Sequence, residues 1–377
     1  MGKLKVGFIG YGNMGGQLAN AAASADIPSI AINTSKQDFE TLNDDVNPFL
    51  VGDGNGTGKN RDTAKQFLSD RLNIVKDEKF IKFIEDKDII FNGGSAGGGT
   101  GSGLVPSMTS ILSQIYPDKC FIVITTFPSL KEQYIPQKHT EAFMKELLSL
   151  NVPYITYDND CYKDLEATEM NKLIINKAVT DMRIIRGDFN IQTTTGGIDE
   201  RDQLTLCSTP GRLICEVITN FEESMIEDAS IVSTLKNAIA KSAHAPMVDD
   251  KFVEATGIMY NLTSDLKKYG SQISSDLENT FGKSITDYRN EAVDEDSEYG
   301  AFVACILAGL TAPTTRIDQT ISRRQKLEDE INKRQAATTK LNSVEVGTLS
   351  LGTKSFGSST KVQKPNVDDI LANIKLL

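Results

Sequence analysis

The sequence contains no tryptophan, two histidines and no long apolar run. Because His139 and His244 are its only imidazole side chains, a zinc site built on histidines is not expected. The longest apolar run, residues 301–310, is much shorter than the ~20 residues that a membrane-spanning helix needs. The five cysteines are odd in number and widely spaced, which favours reduced thiols in a cytoplasmic protein over a disulfide framework.

The charge of the chain is negative overall but unevenly distributed. Residues 313–377 carry 11 Lys+Arg against 7 Asp+Glu, a balance of +4, and residues 1–312 carry 29 against 44, a balance of −15. An acidic body does not by itself attract the phosphates of nucleic acid. The 377 residues suffice for two domains with hydrophobic cores, so we expect an acidic two-domain body with a mildly basic end.

Short apolar segments alternate with helical patterns in the first part of the chain. LKVGFIG, SIAINT, DIIFNGG, KCFIVITTFP and VPYITYDND are predicted strands, and their alternation with helices indicates an α/β fold with a doubly wound parallel sheet. Apolar residues at helical spacing from Met170 to Ile185 predict one long helix. Strand-like segments such as TGIMYNLTS and GAFVACILAG come later and indicate a separate α+β domain.

The chain is therefore predicted to divide into five regions: an α/β domain over 1–165, a central helix over 166–186, an α+β domain over 187–312, a charged helix over 313–340, and a flexible tail over 341–377. The tail ends in an amphipathic peptide, because Val367, Ile370, Leu371, Ile374 and Leu377 fall on one helical face. Such a peptide either docks on a partner or packs on its own or a neighbouring subunit, and both alternatives stay open.

Two glycine-rich runs follow predicted strands and suggest different enzymes. GFIGYGNMGG has the spacing of a dinucleotide fingerprint at Gly10, Gly12 and Gly15. The next strand, however, ends in Asn33 and Thr34, where a dinucleotide site needs an acidic residue. A NAD-dependent Rossmann enzyme is therefore a remote alternative. The stretch GTGKN is not a Walker loop, because it lacks that motif's first glycine and its final Ser or Thr.

The second run, GGGTGSG at residues 97–103, leads from a strand into a helix. Several of its amides can turn toward one anion because glycine has no Cβ, and the helix dipole adds a favourable field. Thr100 and Ser102 add hydroxyl donors. A tight turn alone needs only one or two glycines. Together with GYGNMGG and GDGNGTG, this run would surround a polyphosphate at one edge of the sheet.

GGGTGSG is also the signature loop of the tubulin/FtsZ superfamily, and the resemblance covers about residues 1–312. GYGNMGGQ, AINTSKQDFETL, GDGNGTGKNRDTAKQ and YDND resemble the nucleotide-binding segments of that family in the same order. The resemblance implies a tubulin/FtsZ-like fold whose N-terminal domain binds GTP or GDP with Mg²⁺, and it assigns no protein residue as a metal ligand. It places the nucleotide contacts at Gly12, Asn13, Gln17, Asn33, Gly54, Asn55, Gly56, Gly97, Gly98, Gly99, Thr100, Gly101, Ser102, Glu132, Asn159 and Asn171.

The stretch GGIDERDQLTLCSTPG resembles the family's loop and helix that enter the nucleotide pocket of the next subunit. The resemblance implies that Asp199 and Asp202 are catalytic, because carboxylates can orient the water that attacks GTP. It also implies a head-to-tail homopolymer with assembly-activated GTP hydrolysis. Gly197 stands where the family usually has Asn. The residues by themselves, without the resemblance, favour an acidic helix cap at Asp199 and Asp202.

The charged helix and the tail after residue 312 resemble the TubZ branch, the plasmid- and phage-borne members of the superfamily. That resemblance implies a bacterial cytoplasmic filament that partitions plasmid or prophage DNA through a DNA-binding, TubR-like adaptor, with no membrane partner. The tail is the candidate adaptor-binding region. An FtsZ-like division protein and a phage-positioning tubulin are the alternatives, since the final peptide also resembles the FtsZ anchor peptide.

Overall fold

The computed structural model describes residues 3–191, 197–220, 222–227, 231–246, 253–281, 285–294 and 297–342. The chain forms two compact units, Met1–Asp329 and Glu330–Leu377. The predicted amphipathic peptide and most of the predicted tail lie outside the described residues.

Ten strands form one mixed sheet in the order β3-β2-β1-β4-β5-β6-β7-β10-β8-β9. The strands are β1 (Val6–Tyr11), β2 (Ser29–Ser35), β3 (Asn47–Gly54), β4 (Ile89–Ser95), β5 (Cys120–Phe127), β6 (Pro153–Asp158), β7 (Gly211–Thr219), β8 (Ala255–Leu262), β9 (Thr286–Val293) and β10 (Phe302–Leu310). Neighbouring strands from β3 to β7 pair in parallel, whereas β10 runs antiparallel to both β7 and β8. The predicted α/β fold with a doubly wound parallel sheet is thus confirmed for the first part of the chain.

The helices connect and cover these strands. They are α1 (Gly12–Ala23), α2 (Arg61–Asp70), α3 (Glu78–Glu85), α4 (Thr100–Ile115), α5 (Tyr134–Ser149), α6 (Ala167–Arg186), α7 (Glu200–Cys207), α8 (Glu223–Glu227), α9 (Ile231–Lys241), α10 (Gly270–Phe281) and α11 (Thr314–Asn342). Within the described part of the chain, none of them combines the length and apolarity that crossing a membrane requires.

The central strands contain few exposed residues because both faces of the sheet are covered. In β1, Phe8 packs into one hydrophobic cluster and the next residue, Ile9, packs into another. Ile122 and Val123 of β5 divide between the same two clusters. Side chains alternate faces along a strand, so a strand covered on both faces is apolar at most of its positions.

The long helix α6 crosses the sheet from its carboxyl edge to its amino edge. It starts after β6 and ends at Gly187, which adopts the left-handed conformation with φ of 93°. The carbonyl of Arg186 accepts a hydrogen bond of 3.1 Å from the Leu4 amide, just before β1 begins. At about 1.5 Å per residue, its 20 residues span roughly 30 Å.

The sheet runs through both of the domains predicted from the sequence. Strand β7 pairs with β6 through Gly211 beside Pro153 and Arg212 beside Tyr154. The predicted boundary near residue 186 therefore separates two groups of strands within one sheet.

Strand β3, an edge strand in which several side chains are exposed, was not identified from the sequence. An exposed edge strand lacks the apolar pattern that identifies a buried one.

Candidate nucleotide-binding site

Three loops at the carboxyl edge of the sheet enclose a cavity of about 360 Å³. They are the turn from β1 into α1, the loop between β3 and α2, and the loop from β4 into α4, and the end of β2 completes the wall. The lining comprises Tyr11, Gly12, Asn13, Met14, Asn33, Thr34, Ser35, Asp38, Gly56, Thr57, Gly58, Lys59, Ser95, Gly98, Gly99, Thr100 and Gly101. The two glycine runs that suggested different enzymes therefore form a single cavity.

Two helices begin at this cavity without a side-chain cap. Neither α1, which starts at Gly12, nor α4, which starts at Thr100, receives a capping hydrogen bond or has an acidic residue in its first turn. Helices α2, α3 and α7 are instead capped by Asn60, Asp77 and Asp199. Free amides and the positive ends of two helix dipoles thus meet at one place, which favours an anion.

Glycine is required where the loops touch. A Cβ on Gly99 would lie 2.4 Å from Thr57 Oγ1 and 2.9 Å from the backbone of Lys59. A Cβ on Gly10 would lie 2.1 Å from the carbonyl oxygen of Gly15. Side chains at either position would push the loops apart, so these glycines bring backbone amides from different elements close together.

The carbonyl groups of the glycine loop are held on the side away from the cavity. Nδ1 of His139 lies 3.3 Å from the Gly97 oxygen and 3.1 Å from the Gly98 oxygen. Ser102, which is fully buried, donates its hydroxyl to the oxygens of Gly98 and Gly99. The predicted hydroxyl donor to phosphate thus braces the loop instead, while Thr100 lies in the cavity wall.

Side chains from separate loops meet in the wall of the cavity. The hydroxyls of Thr34 and Thr100 are 2.8 Å apart, which joins β2 to α4. The Asn33 amide donates to Asp38 at 2.9 Å, so a carboxylate does lie beside the end of β2. The sequence did not indicate Asp38, because it follows the strand by three residues.

The cavity also contains a cation that the motifs did not predict. Lys59 is exposed, adopts the left-handed conformation with φ of 62°, and lies in the wall next to Gly99. Such a conformation is uncommon for a residue with a side chain. Lys59 could have been identified from the neighbouring glycines and from Asn60, which caps the following helix. It was not, because it was considered only as part of a Walker motif, which this stretch does not match.

Several predicted contact residues lie beside the cavity rather than in its wall. Gln17 donates to Asn13 at 2.8 Å, and Asn55 donates to Asp53 at 3.1 Å. Gly54 is the last residue of β3, and Gly97 adjoins the lining residue Gly98.

Three others lie on segments that follow β5 and β6 along the same edge of the sheet. Glu132 accepts a hydrogen bond from the Ser129 amide, Asn159 starts the turn after β6, and Asn171 is in the first turns of α6. The Ser129 hydroxyl donates to Asp160 at 2.6 Å, which joins the segments after β5 and β6.

Asp199 and Asp202 lie near the opposite edge of the sheet. Asp199 caps helix α7 and accepts a hydrogen bond of 2.8 Å from the Asp202 amide, and Asp202 accepts one of 3.3 Å from the Asp199 amide. Gln203 anchors this helix to the last turn of α6 through the carbonyls of Ile184 and Ile185. The pair therefore forms the acidic helix cap that the residues alone permitted, with Asp199 exposed.

No group of three or more His, Cys, Asp or Glu side chains within the described ranges could hold a metal ion by itself. Mg²⁺ bound with a nucleotide takes most of its ligands from phosphates and water. The cavity wall contains several oxygen-bearing side chains that suit such an ion, among them the hydroxyls of Thr34 and Thr100 and the carboxylate of Asp38.

Glycine-rich loops and uncapped helix ends at the carboxyl edge of a parallel sheet define a nucleotide-binding α/β protein. Residues 5–167 match the model of the family described as "Tubulin/FtsZ family, GTPase domain". This part of the chain is therefore a tubulin/FtsZ-family GTPase domain, as its glycine loops predicted.

Among curated proteins, the chain is similar to a tubulin-like protein CetZ of Pyrococcus abyssi, with 30% identity over 163 residues, 41% of this chain and 45% of that protein. It is also similar to a tubulin-like protein TubZ of Clostridium botulinum C phage, with 28% identity over 132 residues, 34% of this chain and 37% of that protein. The matched region thus spans less than half the length of these relatives. CetZ proteins match as well as TubZ, so the sequences do not single out the TubZ branch.

Among solved structures, CetZ from Methanosaeta thermophila has a TM-score of 0.72 at 18% identity, over 90% of this chain and 95% of that one. A helical model of the TubZ-Bt two-stranded filament also has a TM-score of 0.72, at 17% identity over 92% of this chain and 94% of that one. The tubulin/FtsZ-like fold is thus confirmed beyond the GTPase domain, and it does not separate CetZ from TubZ.

Proposed function

We propose that this protein is a GTPase that assembles head to tail into filaments and hydrolyses GTP at the contacts between subunits. The observation that carries the proposal is the placement of the two half-sites at opposite edges of one sheet. The glycine loops lie at the carboxyl edge, whereas Asp199 and Asp202 follow the far end of α6.

The distance between the half-sites prevents either from completing the other within one subunit. Helix α6, roughly 30 Å long, leads from the cavity edge toward the α7 cap. Stacking two subunits head to tail would bring the acidic pair of one onto the nucleotide of the next. A heterologous contact of this kind repeats without closing and therefore produces a filament.

The chemistry of the acidic pair suits GTP hydrolysis. A carboxylate can orient and polarise the attacking water, and phosphoryl transfer depends mainly on such positioning and on charge stabilisation. In the capping box each carboxylate uses one oxygen for a backbone amide. The second oxygen of each can accept a hydrogen bond from water. Mg²⁺ bound with GTP would neutralise charge on the phosphates.

The broader comparisons support assembly, since one similar fold is described in a two-stranded filament. The proposed partner is therefore a second copy of this chain. The finer proposal is plasmid or prophage partition in the bacterial cytoplasm through a TubR-like adaptor. This finer proposal is based on the charged helix and the mildly basic end, residues 313–377. A CetZ-like or an FtsZ-like role is the alternative.

The test is GTP hydrolysis measured against protein concentration, with light scattering recorded in the same cuvette. A threshold concentration above which both signals rise together is expected, because the active site forms only at a contact. Hydrolysis proportional to protein concentration without scattering would mean that one subunit holds the complete site, and the filament proposal would fail.

The partition role has its own test. Labelled protein is imaged in cells with and without the replicon that encodes it. Filaments that move with plasmid or phage DNA are expected, and filaments at a division site would favour the FtsZ-like alternative.

A further inference from the structure

We propose that His139 is a positioning residue for the phosphate-binding loop, and that it acts by fixing the peptide planes of Gly97 and Gly98. This inference rests on the proposed GTP binding. It concerns a side chain outside every glycine motif, on helix α5, that does not line the cavity.

The geometry of the peptide bond connects the histidine to the cavity. A trans peptide is planar, so its carbonyl and its N–H point in opposite directions. Nδ1 of His139, which does not line the cavity, lies 3.3 Å from the carbonyl oxygen of Gly97 and 3.1 Å from that of Gly98. The amides of Gly98 and Gly99, in the same two peptide planes, therefore point the other way, and both residues line the cavity.

The tautomer of His139 follows from its partners. Both partners are carbonyl oxygens and can only accept, so Nδ1 has to carry the proton and donate to both. The side chain is 6% exposed, and burial lowers the pKa of His139 despite the two backbone hydrogen bonds. A neutral ring with the proton on Nδ1 suits both observations.

Helix α5, which carries His139, is also hydrogen-bonded to a segment outside the glycine loop. Gln137, two residues earlier on α5, donates to the Ser129 carbonyl at 2.7 Å. The Thr140 hydroxyl donates to the Pro136 carbonyl at 2.9 Å within the helix. The helix that carries His139 is therefore held by a contact that does not involve the loop.

The loop has few other means of holding this orientation. Glycine peptides rotate more freely than others, so a run of three glycines loses more entropy when it becomes ordered around an anion. The Ser102 hydroxyl and the Gly103 amide hold the carbonyl of Gly99, and Ser102 shares that of Gly98 with His139. The Gly97 amide donates to Ser95 Oγ at 3.3 Å, and the hydrogen bond described at the Gly97 carbonyl is the one from His139. If the amides are already ordered before the nucleotide binds, less entropy is lost on binding and the affinity for the phosphates is higher.

The experiment compares His139→Asn with His139→Gln. The Asn amide nitrogen is attached at the same position as Nδ1 and can donate to the same carbonyls, whereas the Gln amide nitrogen is one bond further out. GTP and GDP affinity are measured by titration calorimetry below the assembly threshold, and thermal unfolding is measured on the same samples. Phe143→Leu, a buried position on the same helix that has no polar group, is the matched control.

We expect His139→Gln to weaken nucleotide binding about tenfold, comparable to losing one charge-assisted hydrogen bond, and His139→Asn to stay within about threefold of the natural protein. Phe143→Leu should lower the unfolding temperature without changing affinity. Equal affinity of the Asn and Gln variants would overturn the positioning role while leaving GTP binding intact. A natural protein that binds no guanine nucleotide would overturn both this inference and the proposed function.

Discussion

Replacing Asp199 with Asn separates its role as a helix cap from its proposed catalytic role. Asn caps a helix about as well as Asp does, so the side-chain oxygen at position 199 still accepts the hydrogen bond from the Asp202 amide. The free energy of unfolding should change by less than about 0.5 kcal/mol. The variant does, however, lose the negative charge and the second carboxylate oxygen that are proposed to orient the attacking water.

The companion variant Asp199→Ala loses both properties. Removing an N-cap side chain costs about 1 kcal/mol of stability, which should lower the denaturation midpoint measurably. If the carboxylate positions water in the neighbouring subunit's site, phosphate release should fall by roughly 10²–10⁴-fold in both variants. GTP affinity of the isolated subunits should not change, because the pair lies far from the subunit's own cavity.

The assay is phosphate release per subunit above the assembly threshold, with filament mass followed by sedimentation. Static filaments with little phosphate release are the expected result for Asn and Ala alike. Normal phosphate release from Asp199→Asn filaments would show that the acidic pair is only a helix cap. Loss of GTP affinity in the isolated Asn variant would instead place the residue in its own subunit's site.

Three further predictions concern other parts of the chain. Thr100→Val keeps the side-chain shape but removes the hydroxyl that meets Thr34, so GTP affinity measured by titration should fall about tenfold; unchanged affinity would argue against this wall of the cavity. Deleting residues 341–377 should leave sedimentable polymer intact and abolish binding to an adaptor–DNA complex; if the shortened chain no longer assembles, the tail is instead a filament contact. The side chain of Asp188 is buried, which alone would raise its pKa, but hydrogen bonds from Arg186 and Arg183 outweigh burial and lower the pKa. Its stabilising effect is present above the unfolded pKa of about 3.9 and is lost as the pH falls through the lower folded pKa. Asp188→Asn should therefore cost about 3 kcal/mol at pH 7 in denaturant titrations, and the difference should shrink in acid; a difference independent of pH would refute this account.

Local features of the sequence were sufficient to predict the parallel strands and the glycine loops that follow them. Strands β1 and β5 are mostly apolar, and β4 begins with three apolar residues, because both faces of the sheet are covered; this pattern is visible in the sequence. The cluster GGGTGSG identified the phosphate loop because no structural turn needs so many residues without a Cβ. Edge strand β3 was missed, since its exposed residues lack that pattern.

Only the tertiary structure decided which residues share the cavity and which lie across the molecule from it. Asp38 and Lys59 reach the wall through the folding of separate loops, and His139 supports the glycine loop from a helix about forty residues further along the chain. From the residues alone, Asp199 and Asp202 are best interpreted as a helix cap, and only the family resemblance implied a catalytic role. Their place near the far end of α6 makes a site shared between subunits possible. Such long-range relations depend on the pairing of the strands and the length of one helix, which no local pattern of residues records.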